Sequence, residues 1–329
     1  MLNKFSFLIF VCALCLGFTT TPSHASANKL TIATATPGGT YYPVGVAIGT
    51  LLSIKLAKKH QITATAINSA GAAENIQMLK NGKADLAILQ ALCGINAYKG
   101  KGAHKGKAFK EFRSITMLWE NVEHFPLLRK YAKTGDISDL NGLQKNFSIG
   151  THGSGTEVSG CTLLKILGIN IKKDLELEFM DYNHSAQAMI DGRIAGANIP
   201  AGPPVAAINL LYTQLGSDKI TVLEFTDAQL EKIQKSYPIW NRYVIPAGTY
   251  PSQDKAINTV SQSNFLACRA DLPEAVVYEI TKTIFENLPF LNNTHEATKA
   301  MSLKRATAGL PVPLHPGAEK FYREAGVIN

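Results

Sequence analysis

Beyond residue 27 the chain lacks any apolar run approaching the about 20 residues that a bilayer-spanning helix takes. Cysteine is scarce: of five in the chain, Cys12 and Cys15 fall in the leading segment, leaving Cys93, Cys161 and Cys268. An oxidising compartment would allow one disulfide and one free thiol, but an odd trio so far apart gives no disulfide framework, and buried, unpaired thiols are the favoured expectation. The histidines show no metal-ligand spacing, so no metal centre is expected. Catalytic signatures are missing as well. A nucleophile elbow would place glycines two residues either side of Ser154, where His152 and Thr156 stand instead. No lysine follows that turn, as a phosphate-binding loop requires. A hydrolase using Ser154 would have no recognisable base, so neither an enzyme activity nor a cofactor is expected. There is also no basic stripe with stacking aromatics of the kind that binds nucleic acid.

What is present suits a folded, exported chain. A hydrophobic content of 46% with 18% charged residues fits a globular protein with a substantial core. The net charge of +8 is spread along the sequence, with one concentration from Lys99 to Lys110, and is consistent with an anionic ligand. Lys4, the uncharged run from Phe5 to Phe18 and the ending Ala25-Ser26-Ala27 read as a signal peptide over 1–27, cleaved after Ala27. Cys12 follows Val11 and Cys15 follows Leu14, not the small residue that lipoprotein processing needs, so a soluble periplasmic product is expected. Asn28 to Asn329 is about twice the usual length of one domain, and two are expected.

The mature region alternates strands and helices. Leu30–Thr34 reads as a strand, followed by a turn at Pro37-Gly38-Gly39 and a helix from about Tyr42 with Val44, Ile48, Leu51 and Leu52 on one face. A strand over Ile62–Asn68, a helix carrying Ile76 and Leu79, and a strand over Asp85–Leu89 complete a unit that argues for a parallel sheet. The same plan restarts with strands near Asn146–Gly150, Leu175–Met180 and Ile194–Asn198. Asp271-Leu272-Pro273-Glu274 predicts a helix start, capped by the aspartate. No low-complexity linker intervenes, so strands crossing between the halves are expected to join them.

Two glycine-rich turns occupy matching places before helices. Gly38-Gly39-Thr40-Tyr41-Tyr42-Pro43 lets backbone approach a ligand, and its tyrosines can stack or donate; it also suits a plain tight turn. Gly153-Ser154-Gly155-Thr156-Glu157 offers hydroxyls and amides to a carboxylate or phosphate at a positive helix end. Ser154 and Glu157 also stand at capping-box spacing, a structural use that fits Glu157 best. Gln90 and Asn198 close apolar strands where ligands of open parallel sheets gather, and Ser69 precedes a helix as a contact or a cap. Trp119 and Glu120 lie where the first half hands over to the second; His152 reads as a surface or gating group. The candidate ligand-binding set is therefore Gly39, Thr40, Tyr41, Ser69, Gln90, Trp119, Ser154, Gly155, Thr156 and Asn198.

Taken in order, these segments resemble the TAXI family of solute-binding proteins from tripartite ATP-independent periplasmic (TRAP) transporters. The resemblance runs through Gly38–Gly45, Glu74-Asn75-Ile76, Ala84–Ile88, Gly153–Glu157, Ala201-Gly202-Pro203-Pro204, Ile245–Pro251, Arg269–Pro273 and Gly309–Ala318. It implies an α/β, two-lobed type II periplasmic-binding-protein fold with a ligand cleft between the lobes. Lobe I would comprise 28–120 plus 260–329, and lobe II 121–259. It implies a monomer that binds a small anionic solute, such as glutamate, glutamine or 2-oxoglutarate, and hands it to the TRAP permease membrane subunits. A receptor presenting its ligand to a membrane signalling sensor is the alternative. The chain departs from the family pattern at Pro37, His152, Asn198, Arg242 and the segment Trp119-Glu120-Asn121.

Overall fold

The structure, a computed structural model, describes residues 28–329; the signal peptide expected over 1–27 lies outside the described residues. The chain opens with β1 (Asn28–Ala33), α1 (Tyr41–His60), β2 (Ile62–Ile67), α2 (Ala72–Lys80), β3 (Leu86–Gln90) and α3 (Ala91–Lys99). A long β4 (Phe112–Val122) then leads to β5 (Pro126–Leu128), β6 (Asn146–Ser148), α4 (Gly155–Leu167), α5 (Ile171–Asp174), β7 (Glu176–Glu178), α6 (Tyr182–Ile190), β8 (Gly196–Ala197), α7 (Ala206–Leu215), β9 (Ile220–Val222) and α8 (Asp227–Ser236). The return comprises β10 (Asn241–Ile245), β11 (Ile257–Arg269), α9 (Glu274–Glu286), α10 (Leu288–Asn292) and α11 (Pro316–Glu324).

Two sheets follow one plan. In the first, β2, β1 and β3 run parallel, then β11 lies antiparallel beside β3 and also pairs β4 and β10. In the second, β7, β6 and β8 run parallel, then β5 lies antiparallel beside β8 and pairs β9. Because crossover helices cover both faces, alternate strand residues feed different cores. Ile32, Leu86, Ile88 and Leu266 point toward α1 and α9, whereas Ala33, Ala87, Leu89 and Phe265 face α2 and α3. The second sheet divides likewise, with Ile220 and Val222 toward α6 and α7, and Phe147 and Ile149 toward α4 and α8.

The parallel arrangement places the carboxyl ends of β1, β3, β6 and β8, and hence both glycine-rich turns, at facing edges. β4 and β11 carry the chain between the sheets: Val122 exchanges hydrogen bonds with Ala201 (3.1 and 3.0 Å), and Glu123 N–H donates to Val260 O at 3.0 Å. The strands are shorter than the pattern predicted, ending at Ile67, Ser148, Glu178 and Ala197. The helix expected to be capped by Asp271 begins instead at Glu274 behind Pro273. Asp271 accepts from the Arg269 guanidinium at 2.9 and 2.5 Å, an ion pair that outcompetes the cap. Cys93, Cys161 and Cys268 are all unpaired thiols; Cys161 is half-buried, the other two buried.

Candidate functional site

The starts of α1, α2 and α4 converge on a cavity of ≈ 40 Å³ between the two sheets. Its walls include Gly39, Thr40 and Tyr41 from one glycine-rich turn, and Ser154, Gly155 and Thr156 from the other.

The α4 start is built around its acid. Ser154 Oγ accepts from Glu157 N–H at 3.0 Å, and Glu157 Oε2 accepts from Gly153 N–H at 2.8 Å. His152 Nδ1 lies 3.1 Å from Glu157 Oε1, and its ring stacks on Phe179. This is a capping box shifted by one residue, since Ser154 N–H itself donates to Thr151 O. Gly153 holds φ +76°, a conformation that favours glycine. The N–H groups of Gly155 and Thr156 meet no acceptor among the described residues, so they carry the positive helix end toward the cavity.

A directed chain of amides crosses the cleft floor. Tyr41 Oη donates to Asn264 Oδ1 (2.5 Å), Asn264 Nδ2 to Asn121 Oδ1 (3.4 Å), and Asn121 Nδ2 to Gln90 Oε1 (3.0 Å). Gln262 Nε2 also donates to Gln90 Oε1, and Gln90 Nε2 donates to Gly155 O on the opposite lobe. Gly155 must be glycine for this contact, because a Cβ there would stand 2.5 Å from Gln90 Nε2. Further ties run from Glu74 N–H to Gly153 O (2.9 Å) and from Thr40 Oγ1 to Gly202 O (3.2 Å). Tyr182 donates its single hydroxyl proton to Pro200 O at 2.6 Å, so Thr156 Oγ1 is the donor in the 2.8 Å contact between the two. The two lobes are thus in contact, and burial pushes the Tyr41 and Tyr182 hydroxyls well above the usual tyrosine range.

Of the candidate residues, Gly39, Thr40, Tyr41, Gln90, Ser154, Gly155 and Thr156 line the cavity, and Ser69, Trp119 and Asn198 do not. Ser69 ties its own turn, accepting from Gly71 N–H (3.0 Å) and lying 2.6 Å from Asn75 Oδ1. Trp119 is buried behind Tyr41, edge to face at 6.1 Å. Asn198 is buried beneath α4, where its Nδ2 faces Thr156 O at 3.4 Å and its Oδ1 has no partner. Outside the candidate set, Asn121, from the segment that departs from the family pattern, and Asp181, Tyr182 and Pro200 also line the cavity. Sequence reasoning missed Glu123, whose fully buried carboxyl lies beside Asn198. The signal for Tyr182 was its place as the first residue of a helix, as Tyr41 is the first residue of α1.

The profile of the NMT1-like family matches residues 32–326. This chain belongs to that family. Two solved structures resemble the NMT1-like chain over most of its length. PhnD1 from Prochlorococcus marinus, solved with methylphosphonate, is 13% identical with a TM-score of 0.55, covering 92% of this chain and 100% of PhnD1. MatC from Rhodopseudomonas palustris, with bound malate, is also 13% identical, with a TM-score of 0.54 and coverage of 91% of this chain and 98% of MatC. At such identity the likeness is one of fold, and that fold is the two-lobed type II periplasmic-binding-protein fold expected from the sequence. Among the described residues of the NMT1-like chain, no helix is long and apolar enough to cross a membrane, and no cluster of histidine, cysteine and carboxylates is placed to hold a metal.

Proposed function

We propose that this chain is the periplasmic receptor subunit of a TRAP transporter, exported by its residues 1–27, and that it binds a small carboxylate and delivers it to the membrane permease. The observation that carries this reading is the meeting of two helix starts from opposite lobes at one cavity, with the Gly155 and Thr156 amides and the Ser154 hydroxyl proton free to donate. An anion there gains hydrogen bonds and the favourable end of the α4 dipole. Malate in MatC, a protein of the same fold, supports a carboxylate as the class. Glutamate, glutamine and 2-oxoglutarate are the proposed ligands. The proposed lobes are 28–120 plus 260–329 and 121–259, so that the ligand-binding residues Gly39, Thr40, Tyr41 and Gln90 face Ser154, Gly155 and Thr156 across the cleft.

A thermal-shift screen of the mature chain tests the ligand class with amino acids, 2-oxo acids, dicarboxylates, phosphonates and sugars. A ligand at 100 times its Kd adds about 2.7 kcal/mol to stability, which shifts the melting temperature by several degrees. A response to carboxylates is expected. A response confined to sugars or phosphonates overturns the carboxylate assignment. Ligand uptake by vesicles holding the permease subunits, dependent on added receptor, tests the TRAP partner.

A further inference from the structure

Glu123 sits immediately after β4, where the chain passes from the first sheet to the second, and it is fully buried. Its backbone is held firmly: N–H donates to Val260 O at 3.0 Å, and the carbonyl accepts from Thr259 Oγ1 at 2.7 Å. Its carboxyl is not. Neither oxygen has a hydrogen-bond partner, although the side chains of Ser159 and Asn198 lie beside it. Both neighbours touch Thr156: Ser159 Oγ donates to Thr156 O, and Asn198 Nδ2 does the same, each at 3.4 Å. The carboxyl therefore lies one residue behind the turn whose amides face the cavity.

We propose that Glu123 is a proton-binding site linked to the cleft, and that its carboxyl, buried behind the Ser154–Thr156 turn, must be neutral for an anion to bind at that turn. The inference rests on the reading of the cleft as an anion site. Its physical basis is the absence of compensation. A buried carboxylate is tolerated when paired or fully hydrogen-bonded, and this one is neither. The groups facing it are Tyr41 from α1, Tyr182 from α6, Ser159 from α4 and Asn198 from beyond β8. His124, the next residue, is neutral. Its Nδ1 faces Val122 O at 2.9 Å, its Nε2 faces the Tyr250 hydroxyl at 2.7 Å, and burial pushes it down to about 4. Among the described residues, no cation acts on Glu123. Burial pushes its carboxyl up to about 8, so it is protonated at neutral pH. When it ionises, a negative charge appears in a low-dielectric site directly behind a bound anion, and the two repel each other. By linkage, an anion in the cleft holds the proton more tightly, and loss of the proton weakens the anion.

Two readouts on the wild type, Glu123→Gln and Glu123→Met test this. The methionine variant serves if the amide fails to fold. The first readout needs no ligand. The unfolded glutamate ionises in its ordinary range while the folded one keeps its proton. The wild-type folding constant should therefore fall about tenfold per pH unit between pH 5 and 8 relative to either variant. Parallel pH profiles overturn the proposal. The second readout is calorimetric titration with 2-oxoglutarate, which has no group titrating between pH 6 and 10. Wild-type Kd should rise by up to about tenfold per pH unit above pH 8, with proton uptake on binding visible as a buffer-dependent heat. Both variants should bind as the wild type does at pH 6 and show neither effect. Loss of binding in Glu123→Gln at pH 6 overturns the proposal, because it makes the neutral carboxyl a direct ligand contact. If neither 2-oxoglutarate nor any carboxylate of the thermal-shift screen binds at any pH, the carboxylate reading fails and the coupling falls with it. The ligand-free comparison still decides whether Glu123 holds the proton.

Discussion

The Ser154 oxygen accepts from Glu157 N–H, but the hydroxyl proton remains available, so one residue can cap α4 and donate to an anion at once. The two roles can be separated by substitution. Ser154→Ala loses both: about 0.5–2 kcal/mol of stability from the cap, and about 1.5–3 kcal/mol of binding from a hydrogen bond to a charged group. Ser154→Gly costs the helix only a few tenths, since glycine is tolerated at an N-cap, yet should lose as much affinity as alanine. Glu157→Ala removes the acceptor for Gly153 N–H and acts through stability alone. Melting curves beside calorimetric titration check all three. Unaltered affinity in both Ser154 variants would reduce this turn to a helix cap. Thr156 is expected to behave differently, because its hydroxyl proton goes to Tyr182 in this structure. Thr156→Val should therefore loosen the contact with Tyr182 as well as any contact with the ligand.

At the scale of the element, much of the fold was legible because each strand–turn–helix unit carries its own punctuation. The units β1–α1–β2–α2–β3 and β6–α4–β7–α6–β8 emerged from apolar periodicity and glycine turns alone. Seven cavity-lining residues were legible for the same reason: Gly39, Thr40, Tyr41, Gln90, Ser154, Gly155 and Thr156 all lie at strand ends or helix starts. Trp119 and Asn121 show where that logic stops. They alternate onto the same side of β4, and the register of β4 against β11 shifts between Ser263 and Phe265 and again between Leu266 and Ala267. Which of the two reaches the cleft depends on that irregular pairing, which no local pattern encodes. Asp271 is a similar case, because cap and ion pair suit aspartate equally until Arg269 is placed beside it. The relay at the end of β3 gives an element-level prediction. Gln90→Leu leaves Gln262 Nε2 and Asn121 Nδ2 without the acceptor they share, so urea unfolding should show a loss of about 1–3 kcal/mol for each orphaned group. A loss below about 1 kcal/mol would mean that water replaces the glutamine.

For the molecule as a whole, the decisive fact is that the lobes touch around a cavity of only ≈ 40 Å³. A ligand the size of glutamate cannot pass in while Glu74, Thr40 and Gln90 hold the far lobe. Each of these neutral ties contributes only about 0.5–1.5 kcal/mol net, since water satisfies the same groups when the cleft parts. Opening is therefore accessible, and a ligand that bridges both helix starts shifts the population toward closure. Gly38 and Asn183 offer a direct test of this gate. They lie on opposite lobes at the cleft rim, and a Cβ on Gly38 would stand 2.8 Å from Asn183 Cγ. A cysteine at each position lies within disulfide reach, and Gly38 has no positive φ that would resist a side chain. The buried Cys93 and Cys268 and the half-buried Cys161 are poor competitors for pairing, since burial keeps all three thiols protonated. The double variant Gly38→Cys/Asn183→Cys, oxidised without ligand, should be locked shut and take up no carboxylate. Reduced, it should bind with wild-type affinity. Oxidised after loading, it should retain its ligand through dialysis. Stopped-flow binding on the two redox forms checks this: if the disulfide forms and the oxidised, ligand-free protein still binds at the wild-type rate, the ligand does not enter by separation of the lobes.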